Sequence, residues 1–217
     1  MIKRARLVAL LLPAVAAADP ATYTTLNTSR ATFKTEAPLE TIVGTVGSPS
    51  GTPYEQLSVQ AKINVDPVKP QDAKGTIRVD MNAVRTGIDR RDAHMRSKDF
   101  LDTEASEANR YAVFEIKNVE VAGPLQPGKE TPAKVRGTFT VRGKPYETVA
   151  DALITYIKLT PEQVEAQKRF NFAAENLRVK AKFATKFTNH NMQVPQILIL
   201  KVSDDIQVEA DLILVRQ

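Results

Sequence analysis

Val59-Gln60-Ala61-Lys62-Ile63-Asn64-Val65 alternates apolar and polar residues without a fault, and Pro67 and Pro70 follow it. A period of two puts successive side chains on opposite faces, so this stretch reads as a half-buried β-strand closed by proline. The same pattern recurs on both sides of it. Upstream, residues 21–26 and 29–35 read as short strands, the second with Ala31, Phe33 and Thr35 on one face; residues 40–46 follow, before a Gly/Ser/Pro-rich turn at 47–53. Downstream, residues 75–81 place Ile77, Val79 and Met81 on one face and Thr76, Arg78 and Asp80 on the other.

Further alternating runs begin at Ala112, Phe114 and Ile116, at Val135, Gly137, Phe139 and Val141, and at residues 146–157. The last begin at Leu177, at residues 197–202, and at Ile206, running to the C-terminus. The rhythm contains no strand–helix–strand alternation, which argues for one antiparallel sheet. A sheet with one apolar face must close on itself or pair with another, and without cysteine or tryptophan to pin a sandwich core, closure into a barrel is the preferred reading. The fold expected is all-β, an antiparallel barrel of about eight strands with one or two short helices. One helix is marked by Thr160-Pro161-Glu162-Gln163, a capping box with proline at the first helical position, running to about residue 169.

The N-terminus follows a different logic. Lys3, Arg4 and Arg6 precede an apolar run over 7–17, and Ala16-Ala17-Ala18 supplies an A-x-A site, so residues 1–18 read as a cleaved secretory leader and 19–217 as a single domain. The apolar run is shorter than a membrane span requires, and no later segment reaches that length. Without the three leader cations, the 30 Lys+Arg fall to 27 against 25 Asp+Glu, a balance that gives no nucleic-acid footprint. The chain has no cysteine, which excludes a disulfide framework, thiol chemistry and a bacterial lipid anchor, so that the leader implies a periplasmic or secreted protein.

Chemistry is sparse. His94 and His190 are the two histidines, and neither sits in a metal-ligand spacing; there is no G-x-S-x-G and no Gly-rich phosphate loop. No catalytic residue, metal or cofactor is expected, and the chain is read as a non-enzyme. Residues 86–101, Thr-Gly-Ile-Asp-Arg-Arg-Asp-Ala-His-Met-Arg-Ser-Lys-Asp-Phe-Leu, interrupt the strands with dense charge. Asp89 is positioned to cap a short helix there. Arg91 and His94 are candidates for an anionic head group at a barrel mouth, while in the plainer reading Asp92 pairs with a neighbouring arginine and fixes the connection to the rim. Phe33, Phe114, Phe139, Phe183 and Phe187 face inward on the alternating segments, with Phe100 and Leu101 turned in from the charged stretch. Other inward positions are small: Ala31, Ala61, Ala112, Gly137, Ala181 and Ala210. Small residues leave room, which favours an apolar cavity over a filled interior, although a packed core remains the alternative.

The charged stretch also carries a resemblance. Thr86-Gly-Ile-x-x-Arg-Asp-x-His94-Met-x-Ser97-x-Asp99-Phe100-Leu101 resembles the hallmark of the YceI-like family of exported bacterial proteins, supported by Ser29-x-x-x-Phe33, by Val135-x-Gly137-x-Phe139-Thr140-Val141-x-Gly143 with Lys144-Pro145, and by the closing strand from Asp205. The resemblance implies a lipocalin-like barrel, extended and flattened, that holds a polyisoprenoid or other long-chain lipid without a cofactor. The chain departs from the family pattern at Asn109-Arg110-Tyr111, where many members carry Tyr-Pro, and at Thr28, where many carry a histidine. The partner implied is a long-chain isoprenoid or fatty lipid, and a homodimer is left open.

Overall fold

The computed structural model describes residues 20–197 and 200–217; the expected leader lies outside the described residues, as do positions 198 and 199 of the expected strand at 197–202. Strands form where the alternation is: β1 (Ala21–Thr25), β2 (Arg30–Ala37), β3 (Glu40–Gly47), β4 (Val59–Val65) and β5 (Lys74–Asp80). After a helical connection come β6 (Tyr111–Val121), β7 (Glu130–Val141), β8 (Lys144–Lys158) and β9 (Glu175–Lys186). The short pair β10 (Gln196–Ile197) and β11 (Leu200–Lys201) precedes β12 (Asp205–Arg216).

Eight strands close a ring in the order β1-β4-β5-β6-β7-β8-β9-β12, with β12 returning to β1 and every pairing antiparallel. Closure removes the free edges that an open sheet would expose. The free edge of β12 is shared. Leu214, Val215 and Arg216 pair with β1, whereas Gln207 to Asp211 pair with β2. Between them the chain turns at 26–29, and the Ser29 hydroxyl stands in for the interrupted ladder: it accepts from Ile213 N at 3.0 Å and donates to Ile213 O at 3.2 Å. Thr25 does the same toward β4, donating to Val59 O and accepting from Ala61 N.

This split gives the barrel unequal ends. At one end β1 bridges β12 to β4 directly. At the other, both β2 and β3 stand between β12 and the segment after β5, which Thr45 reaches through paired backbone bonds with Arg85 of 2.9 and 3.0 Å. The extra strand widens that end. The narrow end is filled: Tyr23 and Leu214 have no exposed surface, and Val65, Ile116, Val119, Ile154, Leu177 and Leu212 pack beside them. Burial pushes the Tyr156 phenol up to about 12, with the neighbouring Glu175 carboxylate adding to the shift. Burial also works against the charge on Glu175, but Arg216, bonded to it at 2.6 Å, holds its carboxyl below the usual range.

Among the described residues three short α-helices decorate the barrel: α1 (Asp89–Arg96), α2 (Glu107–Arg110) and α3 (Pro161–Ala166). The Thr160–Gln163 capping box forms as expected at α3, although regular helix stops at Ala166 and only a 3-10 turn continues to Phe170. At α1 the expected cap is corrected. Asp89 is the first helical residue and Ile88 occupies the cap without a side-chain bond. The reaching carboxylate is Asp92, which accepts from Thr86 N at 3.0 Å and Thr86 Oγ1 at 2.6 Å. The single-turn α2 was not among the expected helices; Ser106 caps it by accepting from Asn109 N, and Arg110 clamps it to β5 through Asp80 at 2.7 Å.

Candidate ligand-binding cavity

The wide end of the barrel is open inside. A cavity of about 570 Å³ lies there. Its walls are the inward faces of β2, β3, β5, β6 and β12, carrying Ala31, Ile42, Val46, Val79, Ala112 and Val208. α1 and the chain after it cover it from above with Met95, Phe100 and Leu101, and the segment after β9 adds Phe187, Met192 and Val202. These residues face in because the local fold leaves them no other direction. The turn after α1 is tied by Leu101 N to Met95 O and by Asp102 N to Ser97 O, with Asp102 in the left-handed region at φ 52°. That turn drives Leu101 into the core, where it is 3% exposed.

Of the expected apolar site residues, Phe33, Phe100, Leu101, Phe139 and Phe187 line this cavity. Phe114 and Phe183 do not. They stand behind Phe139, with ring centroids 4.9 Å apart for Phe139–Phe183 and 5.5 Å for Phe114–Phe183. All three point inward, and of them Phe139 alone meets the open space. Phe100 packs edge-on against Phe187 at 5.6 Å and stacks with His94 at 6.1 Å.

Polar groups gather at the mouth: Glu40, Arg90, Arg91 and His94. Arg91 is already engaged, its Nε donating to Thr86 Oγ1 at 3.0 Å and its guanidinium paired with Glu40 at 2.8 Å. The arginine partner expected for Asp92 is therefore replaced by Thr86, and Arg91 instead ties the β3 strand to α1. With Asp92 only 2% exposed, both hydrogen bonds from Thr86 act in a desolvated place.

His190, noted from the sequence only as lying outside any metal-ligand spacing, has a place in the cavity that the pattern did not show. It is 1% exposed and lies in the cavity wall. Its Nδ1 lies 2.9 Å from the Lys144 carbonyl, which only accepts, so that nitrogen carries the proton. Nε2 is then the acceptor for the Thr185 hydroxyl at 2.9 Å. Burial pulls its pKa below the ordinary histidine value, against the bond to Lys144 O. Only its inward β9 partner Thr185, five residues back, could have flagged it in the sequence. Among the described residues no group of three or more His, Cys, Asp or Glu is placed to hold a metal ion, and no helix is long and apolar enough to cross a membrane.

The architecture is an eight-stranded antiparallel barrel, packed at one end and holding an apolar cavity of ligand size under a short helix at the other. The YceI-like domain matches residues 24–214, and the chain belongs to that family. Solved structures share the fold. BcnA of Burkholderia cenocepacia is 14% identical with a TM-score of 0.59, over 85% of this chain and 95% of its own. A polyisoprenoid binding domain from Saccharophagus degradans implicated in plant cell wall breakdown is 13% identical with a TM-score of 0.62, over 92% and 100%. The Campylobacter jejuni YceI protein is 19% identical with a TM-score of 0.54, over 78% and 86%. No curated protein sequence matches the chain significantly.

Proposed function

We propose that this chain is an exported carrier holding one polyisoprenoid or other long-chain amphiphile by burying its tail in the open half of the barrel. The cavity carries the reading: about 570 Å³ of space walled by aliphatic and aromatic side chains, with charge confined to its mouth. A tail giving up roughly 400 Å² of apolar surface gains on the order of 10 kcal/mol before the costs of association, so few polar contacts are needed. The relative from Saccharophagus degradans that binds a polyisoprenoid supports the same class of ligand. Residues 1–18 are the leader removed on export, in keeping with the three cations, the apolar run and the alanine site. In this reading the barrel binds and does no chemistry, with His190, held by Thr185 and the Lys144 carbonyl, and His94, stacked on Phe100, serving as wall residues.

A second reading, a structural or stress-protection protein with no ligand, draws on the packed narrow end, where Tyr23 and Leu214 are wholly buried. Organic extraction of the purified protein followed by mass spectrometry separates the two. A discrete long-chain amphiphile at near one per protein is expected. Extracts repeatedly free of lipid, together with no uptake of added prenyl alcohol, would overturn the carrier.

A further inference from the structure

The open half of the barrel ends on aromatic rings. Phe33 and Phe139 line the cavity, and Phe183 stands behind Phe139 in contact with Phe114, so rings from β6, β7 and β9 meet across the interior. Two glycines hold these rings in place. A Cβ on Gly44 would come within 2.0 Å of the Phe33 ring, and one on Gly137 within 2.5 Å of the Phe114 ring. Each ring lies flat over a neighbouring strand only because that strand has no side chain there.

Beyond the rings the inward row turns small. Ala133, Ala152, Ala181 and Ala210 are successive cross-strand partners from β7 to β12. Ala181, Ala210, Val135 and Val179 are only half-buried although they pack against the core. The side chains beyond the rings are therefore too small to fill the interior as the rings do, and the row runs on from Ala210 to Ala31, which lines the cavity.

We infer that Phe114, Phe139 and Phe183 set the length of the chain that the barrel accepts. A close-packed methylene takes roughly 27 Å³, so a cavity of about 570 Å³ holds on the order of twenty carbons above the rings. A prenyl chain twice that long leaves about half its length outside the cavity, where it gains nothing from burial. The inference rests on the carrier reading and names the ligand class within it: single apolar chains of about twenty carbons.

The test is a binding series on the purified protein with prenyl alcohols of about ten to forty carbons, read by displacement of a fluorescent fatty acid. In the unaltered protein, affinity climbs by up to about fourfold per added carbon and then levels near twenty carbons. Phe183→Ala, which opens the layer onto the alanine row, moves the break to longer chains, whereas Phe183→Leu leaves it where it was. A curve that climbs without a break to the longest alcohol overturns the inference, and this reading needs no variant. So does an unmoved break in a Phe183→Ala protein that still melts cooperatively. Absence of binding at every length overturns the carrier reading instead.

Discussion

Ala112→Leu sets the two readings of the interior against each other with opposite signs. Ala112 sits on the cavity wall and is 6% exposed. Leucine adds three carbons, about 80 Å³ at close packing, roughly a seventh of the 570 Å³ cavity. In a carrier those carbons enter space the ligand would use. Displacing about three methylenes of tail at ~0.8 kcal/mol each removes on the order of 2.4 kcal/mol of binding, about sixty-fold in Kd. The empty protein is meanwhile unchanged or slightly stabilised, because the new methyls find apolar neighbours. In a packed barrel the same leucine is overpacking and costs about 1–3 kcal/mol of stability. For a domain of this size that is a fall of roughly 3–10 °C in Tm. Titration with a prenyl alcohol and a thermal melt of the ligand-free protein give both numbers. A Tm lowered by several degrees with unchanged affinity would refute the reasoning.

Asp92→Ala leaves the Thr86 N–H and hydroxyl without their acceptor in a desolvated place, and urea unfolding is expected to show a loss of about 1–3 kcal/mol; a change under about 0.5 kcal/mol would show that α1 does not depend on this contact. Arg91→Ala at the partly exposed rim weakens an anionic amphiphile by about three- to fivefold and leaves the neutral alcohol of equal chain length alone, whereas equal losses for both would exclude a head-group role. His190 has a pKa lowered by burial, so the unfolded chain binds the extra proton first. Stability is full above the ordinary histidine value near about 6.5 and falls as pH drops through the lowered folded value. In His190→Gln, Tm measured across that window is expected to fall less, and a slope as steep as in the unaltered protein would assign the acid sensitivity elsewhere.

Much of the fold was legible because a period of two is a local signal. The expected strand at 59–65 and the observed β4 coincide, and the alternating run begun at Ala112, Phe114 and Ile116 falls within β6. The Thr160 box was legible for the same reason, since its partners are three residues apart. What alternation lacks is distance along the barrel. It places Phe139 and Phe183 on the same side of the wall, yet one lines the cavity and the other stands behind it. Long-range partners were invisible for a related reason. His190 is fixed by Lys144, 46 residues away, and Arg91 by Glu40, 51 residues away, and no spacing rule connects such pairs. Asp89 offered a plausible cap by position alone, but the free donors belonged to Thr86 outside the helix, and Asp92 was the carboxylate one turn along that faced them.

The cavity owes its place to a feature far from its lining. Both ends of the barrel are made of strands with the same alternation, so pattern alone would pack them alike. They differ because β12 serves two partners along one edge, and the chain steps from β1 to β2 at residues 26–29. Ser29, 1% exposed, completes that step: the Ile213 carbonyl accepts from Leu26 N at 2.8 Å as well as from the Ser29 hydroxyl, which in turn accepts from Ile213 N. Without that hydroxyl the Ile213 N–H would be left unpaired, at a cost of about 1–3 kcal/mol. Once the step is made, β3 is carried into the wall beside Arg85, and the circumference grows by a strand at that end only. Residues large enough to fill the narrow end, such as Tyr23 and Leu214, lie on the side that did not grow. On the widened side even Phe33, Phe139 and Phe187, set among small residues such as Ala31 and Ala112, leave the space between them open. Binding capacity thus follows from where a strand is interrupted, and the side chains that line the cavity determine what kind of molecule fits.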